Sequence, residues 1–477
     1  MIAKGIDVRL FFKVSLGIIC ALAIYYFALS LDFGQFTPAG KHAFAVFCVG
    51  AFLWITNIFP LAITGIIVLF LLPASDAIKA HDIYSYFGNS AVFFVLGAFI
   101  LASPVMRSGL SKRMAISIIS KFGKGPKTLT SSIFVLSSFL AFFISEHAVA
   151  AMLLPIVIEI VKATKVSTRS RFAFASYMAM AWGAMIGGTA TLLGGARAPL
   201  ALGILQDTFN SNHKLSHFGS ISFIEWTWWV IPIVLIILVV ALVFVLLIAH
   251  NSQANIELAQ KTLLQHKEKM GKISTREILT LLVLLFTIFL WVFYGTSWGL
   301  DWIALLGVIL AFLLRITNWK EVERDVQWGI FIMYGSAIAL SVTLQQTGAA
   351  QEIVHFILAL GIESPIVIFI LLIALACILT ELMSNAAAVA VLLPIALALS
   401  IEYGIDPRVM TIAIATSAGL TFMLPVSTPA MALVINSEYV RLQRAFLWGS
   451  LLKIIGFFVI IIIALSYWPL IGLNIVI

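Results

Sequence analysis

Charge is scarce in this chain of 477 residues: only 10% are Asp, Glu, Lys or Arg, against about 25% in soluble domains. That shortage excludes a soluble globular protein. Cysteine is almost missing too. Cys20, Cys48 and Cys377 lie far apart in apolar stretches, so neither a disulfide framework nor a Cys-based metal cluster can be built from them. The chain has no Walker-type glycine-rich phosphate loop, which argues against an ATP-driven pump. It has no nucleophile–base pair and no cofactor motif, which argues against a membrane enzyme.

What remains is apolar. Hydrophobic residues make up 62% and mean hydropathy is +1.10. The apolar stretches are long and continuous rather than alternating in ten-residue units, so the fold is all-α and polytopic rather than a barrel. The net charge of +8 then sets orientation in the bilayer and predicts no nucleic-acid partner. The first apolar run follows Lys4, Arg9 and Lys13 and has no clear cleavage site after it. It is expected to stay as a membrane helix rather than to leave as a signal peptide.

Basic residues fix the threading. Lys and Arg concentrate at the N-terminus, at 107–127, 162–171, 261–276 and 315–324, and at Arg441 and Arg444. The clusters at 107–127 and 162–171 flank one polar-interrupted segment, 128–161. Both can be cytoplasmic only if that segment enters and returns on the same side, as a re-entrant helical hairpin. A second interrupted segment, 365–400, behaves likewise on the opposite face. The expectation is about eleven transmembrane helices plus two re-entrant hairpins, with the N-terminus cytoplasmic and the C-terminus outside a cell (inner) membrane.

The two hairpins belong to an internal repeat. Ser145-Glu146-His147 stands ten residues before Pro155 in a Leu-Leu-Pro, and Ser384-Asn385-Ala386 stands ten before Pro394 in another; the copies are 239 residues apart (384 − 145). The run from Phe94 to Leu101 with Ser108-Gly109 matches the run from Met333 to Leu340 with Thr347-Gly348 at nearly the same offset. Read with the charges, the halves run in opposite senses, an inverted-topology repeat of the kind that builds secondary transporters. The expected organisation is an extra helix in 1–40, a first repeat in 41–249, a cytoplasmic linker in 250–276 and a second repeat in 277–477. Each half also carries a Gly/Pro-rich break, within 172–206 and within 407–436. Broken backbone at membrane depth is tolerated where it lines a cavity. Its carbonyls suit a small hard cation and its helix N-termini suit an anion.

The sequence resembles the divalent anion/sodium symporters, the DASS family. The likeness is carried by Gly187-Gly188-Thr189-Ala190-Thr191-Leu192, by Met423-Leu424-Pro425-Val426-Ser427-Thr428-Pro429 and by Thr380-Glu381 before Ser384-Asn385, and it spans nearly the whole chain. The resemblance implies an elevator-type transporter of dicarboxylates, tricarboxylates or sulfate, usually a homodimer, with Na⁺ as coupling ion and no cofactor. It implies cation ligands at Ser145, Gly194, Thr380, Asn385 and Ser427, and anion contacts at Gly195, Ser384, Asn385 and Thr428.

Where the family has Ser-Asn-Thr at each tip, this chain has Ser145-Glu146-His147 and Ser384-Asn385-Ala386. Arg197 stands where the family's first break ends in Pro-Pro-Asn. Glu146, His147 and Arg197 are therefore candidates for substrate contact outside the shared pattern. Arg197 can fork onto a substrate carboxylate or pair internally with Glu146. Glu146 can ligate Na⁺ or, with His147, carry a proton. The alternatives to Na⁺ symport are a proton-coupled anion transporter and a Na⁺/H⁺ antiporter; a membrane sensor that binds an anion without moving it is a third. Glu381 is expected to brace its hairpin, and Trp226, Trp228 and Trp229 to form an interfacial aromatic belt. His42, His81, His213 and His217, in or near loops, are expected to be solvated.

Overall fold

A computed structural model describes residues 8–31, 35–210, 218–250 and 254–476; Lys4, His213 and His217 lie outside the described residues. The protein is an all-α membrane protein with two helical hairpins in an inverted-topology repeat. Among the described residues the one β feature is an isolated bridge between Ile405 and Val476. Nine of the described helices are long and apolar enough to cross a membrane. Both arms of the second hairpin are among the nine, because length and composition do not distinguish a crossing from an arm that turns back.

The repeat is visible helix by helix. Ser90–Arg107 corresponds to Trp328–Gln346, and the following amphipathic helix Leu110–Phe122 to Ala349–Leu358. Each amphipathic helix starts after a glycine with positive φ, Gly109 at 92° and Gly348 at 76°, a conformation that L side chains resist. The first hairpin consists of Pro126–Ala141 and Glu146–Ala163, the second of Pro365–Leu382 and Asn385–Glu402. Proline occupies the first turn of both leading arms, where its missing N–H costs nothing. Serine caps both returning arms: Ser145 Oγ accepts from Ala148 N and Ser384 Oγ from Ala387 N, each at 3.3 Å. The first break separates Arg171–Gly187 from Arg197–Asn210, and the second separates Pro407–Ser417 from Pro429–Ile435.

Two bodies emerge from the packing. Pro38–Thr56, Leu61–Ala74, Ser90–Arg107, Thr275–Trp298, Leu300–Leu313 and Trp328–Gln346 pack largely on one another. The hairpins and broken helices form the other body, together with Phe223–Ile248 and Leu442–Leu470. Those last two helices are themselves stapled where Trp468 Nε1 donates to Trp229 O at 3.1 Å. The aromatic belt is corrected by this packing. Trp226 and Trp229 are buried and only Trp228 is exposed, because two of the three indoles face the neighbouring helices rather than lipid.

Candidate functional site

The two hairpin tips meet at the two breaks. Glu146, Asn385 and Arg197 are each the first residue of a helix, and all three line one cavity of about 380 Å³. The second break contributes Pro425 to Pro429, and the other body contributes Trp54, Asn57, Leu61, Gln327 and Ile330. Helix N-termini carry partial positive charge and unpaired N–H groups, so the cavity is biased towards anions before any side chain is counted.

Arg197 and Glu146 are both buried, at 2% and 1% residue exposure, and they are paired: Arg197 Nη1 donates to Glu146 Oε2 at 2.9 Å. Arg197 Nη2 donates to Thr189 Oγ1 at 2.5 Å and to Met185 O at 3.5 Å. A cation at a helix start opposes the macrodipole by about 0.3–1 kcal/mol, so these acceptors hold Arg197 in place. The backbone is shaped to admit the pair. A Cβ on Gly188 would lie 3.0 Å from Glu146 Oε2, and one on Gly419 would lie 2.8 Å from Arg197 Nε. Of the two sequence readings of Arg197, the internal pair is the one seen; the same guanidinium also touches the cavity.

Ser145 and Gly194, expected as cation ligands, have their oxygens engaged. The Ser145 hydroxyl caps its helix, and Gly194 O accepts from Glu146 N at 2.8 Å. At Gly195 an added Cβ would lie 2.7 Å from Arg197 Nη1, so the guanidinium sits directly against this turn. His147 lines the cavity with its side chain 20% exposed, and its Nδ1 lies 3.7 Å from Glu146 Oε1. That is beyond hydrogen-bond reach, and the buried Nδ1 has no partner.

The second half differs. Thr380 Oγ1 donates to Ala418 O at 2.6 Å, and Ser427 Oγ donates to Leu424 O at 2.8 Å. The Asn385 amide lies between Thr380 Oγ1 and Ser427 O on one side and the Arg197–Glu146 pair on the other. With its nitrogen towards Thr380 Oγ1 and Ser427 O (both 3.2 Å) and its oxygen 3.3 Å from Arg197 Nη1, every group meets a complementary partner. Turned over, the oxygen faces two other oxygens, and the nitrogen lies 3.4 Å from Glu146 Oε1. Three oxygens directed at one another are a cluster suited to a small hard cation. Thr428 caps Pro429–Ile435 by accepting from Met431 N and turns its hydroxyl to Met185 Sδ, both at 3.2 Å. Ser384 lines the cavity and is partly exposed.

A second buried ion pair braces this hairpin. Lys453 Nζ donates to Glu381 Oε1 at 2.8 Å, and Leu424 N donates to Glu381 Oε2 at 3.1 Å. Glu381 has the bracing role expected from sequence; its partner Lys453 was missed. The available signal was a cation well inside the largely apolar 29-residue helix Leu442–Leu470, whose other charged residue, Arg444, stands in its first turn, because charge at membrane depth calls for a partner. Gln327 and Asn57 were missed for another reason: they stand at helix ends in the body that carries neither a hairpin tip nor a Gly/Pro-rich break.

Residues 13–474 match the family described as "Sodium:sulfate symporter transmembrane region". The chain is 27% identical over 452 positions to the sodium-dependent dicarboxylate transporter SdcS of Staphylococcus saprophyticus, covering 88% of this chain and 85% of that one. It is 27% identical over 490 positions to SdcS of Staphylococcus aureus (strain USA300), covering 96% and 92%. In fold it is similar to the Alcanivorax borkumensis YdaH transporter, with a TM-score of 0.56, 12% identity, and 91% of this chain and 100% of that one covered. It is also similar to Neisseria gonorrhoeae MtrF, with a TM-score of 0.55, 15% identity, and coverage of 86% and 96%.

Proposed function

The chain belongs to the sodium:sulfate symporter family, a family of membrane transporters rather than enzymes, and from that premise we propose that it carries small dicarboxylates in symport with Na⁺. The observation that carries this reading is the convergence of three helix starts, at Glu146, Arg197 and Asn385, on one cavity. A dianion there is met by N–H groups of the helix starts, by the partly exposed Ser384 and by the Arg197 guanidinium. The relatives are named as sodium-dependent dicarboxylate transporters, which favours dicarboxylate over sulfate or tricarboxylate.

In this reading Na⁺ binds in the second half, at Thr380 Oγ1, Asn385 Oδ1 and Ser427 O. In the first half the Arg197 guanidinium takes the cation's position beside Gly195. The family pattern's neutral Asn and bound cation become a fixed Glu146–Arg197 pair, so the first half contributes a permanent cation instead of an exchangeable one.

The mechanism we favour is an elevator movement of the hairpin body against the other body. Its support is a second cavity of about 450 Å³ lined by Ala91, Thr296 and Leu300. These are the repeat counterparts, 239 residues away, of Ile330, Asn57 and Leu61 at the first cavity (330 − 91, 296 − 57, 300 − 61). Two walls related by the inverted repeat are what the site needs if it faces each side in turn. The site lies in a multi-pass cell-membrane protein with a cytoplasmic N-terminus and an external C-terminus, working as a homodimer.

The test is uptake of succinate, citrate and sulfate into proteoliposomes, with and without an inward Na⁺ gradient. Succinate uptake driven by Na⁺ is expected. Uptake unchanged when choline replaces Na⁺ sinks the symport reading. A second reading, proton coupling through Glu146 and His147, is favoured by the unpartnered His147 Nδ1 facing Glu146. It predicts uptake that follows a pH gradient in choline. Na⁺/H⁺ exchange without uptake of any of the three anions would instead identify an antiporter.

A further inference from the structure

The Asn385 side chain touches both halves of the site, and its two ends differ in what they can accept. With nitrogen towards Thr380 Oγ1 and Ser427 O, the amide donates to both and its oxygen holds Arg197 Nη1 at 3.3 Å. The Thr380 hydroxyl proton is committed to Ala418 O at 2.6 Å, so Thr380 Oγ1 can accept from the amide without conflict. This orientation is closed to a cation, because an NH₂ group cannot ligate one.

The opposite orientation brings Oδ1 into the cluster with Thr380 Oγ1 and Ser427 O, and its own cost falls on the other end. The nitrogen now faces the first half, where it reaches Glu146 Oε1 at 3.4 Å and opposes the Arg197 Nη1 donor it formerly held by its oxygen. Glu146 gains a donor. Arg197 keeps Glu146 Oε2, Thr189 and Met185 O as acceptors but loses Asn385. One N–H of Nη1 is thereby freed beside the cavity that Arg197 lines.

We propose that the Asn385 amide is a two-position relay: cation ligation through Oδ1 in the second half frees an Arg197 donor for the anion in the first half. Asn385 is a positioning residue for Arg197 as well as a cation ligand. This rests on the Na⁺–dicarboxylate reading above. It adds the element that converts two neighbouring sites into one coupled site. Coupling of this kind is a free energy shared by both ligands, so Na⁺ must raise the affinity for the anion by the same factor as the anion raises that for Na⁺.

Asn385→Asp separates the relay from a structural role. Its two equivalent oxygens can ligate the cation and hold Arg197 at once, so no turn is needed and Arg197 is never freed. Asn385→Ser, too short to reach Arg197, is the second variant in case the added charge impairs folding. The measurements are Na⁺-dependent thermal shift and succinate affinity in NaCl and choline chloride, on purified full-length protein in nanodiscs. For the wild type a Na⁺-dependent gain in succinate affinity of about 5–150-fold is expected. For Asn385→Asp the thermal response to Na⁺ persists, and succinate affinity stays at the Na⁺-free level. For Asn385→Ser the gain collapses to about threefold or less, well under the usual range, while the protein still unfolds cooperatively. Wild-type coupling that survives in both variants overturns the relay alone. A wild type whose succinate affinity ignores Na⁺ overturns the Na⁺–dicarboxylate reading and the relay with it.

Discussion

The two hairpin tips have one backbone and two chemistries. Ser145 and Ser384 cap their helices with the same bond at the same length, and the next residue of each points into the same cavity. At the first tip that residue is Glu146, an anion that must be neutralised inside the protein. At the second it is Asn385, a neutral amide that can change partners by turning over. The difference shows that an inverted repeat fixes where a side chain stands without fixing what it does. A charged tip needs a permanent partner and gets one in Arg197. A neutral tip can accept a mobile partner.

The comparison breaks most visibly if the charged tip is left unbalanced. Glu146→Gln strands a buried guanidinium, and about 3–5 kcal/mol of stability should be lost, seen as a large drop in thermal midpoint or a failure to accumulate in the membrane. Adding Arg197→Gln should recover most of that loss. Recovery of stability with uptake still absent assigns Arg197 to the anion; recovery of both leaves it with only the structural pairing.

The brace behind the neutral tip should be the next most costly to remove. Lys453→Met leaves Glu381 without its cation but with Leu424 N still donating. A loss below that of Glu146→Gln is expected, with partial rescue by Glu381→Gln. Equal losses at the two pairs would mean that the Leu424 bond contributes nothing.

Thr380→Val removes one oxygen from the neutral tip's cluster and keeps the shape. Na⁺ affinity should fall by about tenfold, the worth of one lost polar contact, while succinate affinity in the absence of Na⁺ is unchanged. An unaltered Na⁺ response in thermal-shift titrations would remove Thr380 from the site. The smallest effect is expected at His147→Thr, which gives the first tip the family's residue. Na⁺ dependence should persist, and any pH dependence of uptake should flatten, because the substitution removes the imidazole that lines the cavity. A pH profile that survives the substitution excludes His147 as the titrating group.

Much of this was legible before any coordinates. The charge clusters flanking 128–161 required a return to the same side, and the matched Ser145 and Ser384 positions named both tips. Glycine and proline marked both breaks, because few other residues interrupt a helix at membrane depth. Trp226 and Trp229 misled, since indoles near a helix end look alike in sequence whether they face lipid or a neighbour. Lys453 was passed over because the chain separates it from Glu381 by 72 residues.

The sequence by itself determined the class of molecule, the repeat and the residue types at each tip, because hydropathy, charge placement and helix breakers act locally along the chain. Only the tertiary structure decided partnership. That Arg197 satisfies Glu146, that Lys453 satisfies Glu381 and that Asn385 reaches both halves depend on distances between segments far apart in sequence. Burial makes those distances decisive, since an ion or amide removed from water must find its partner within about 3 Å.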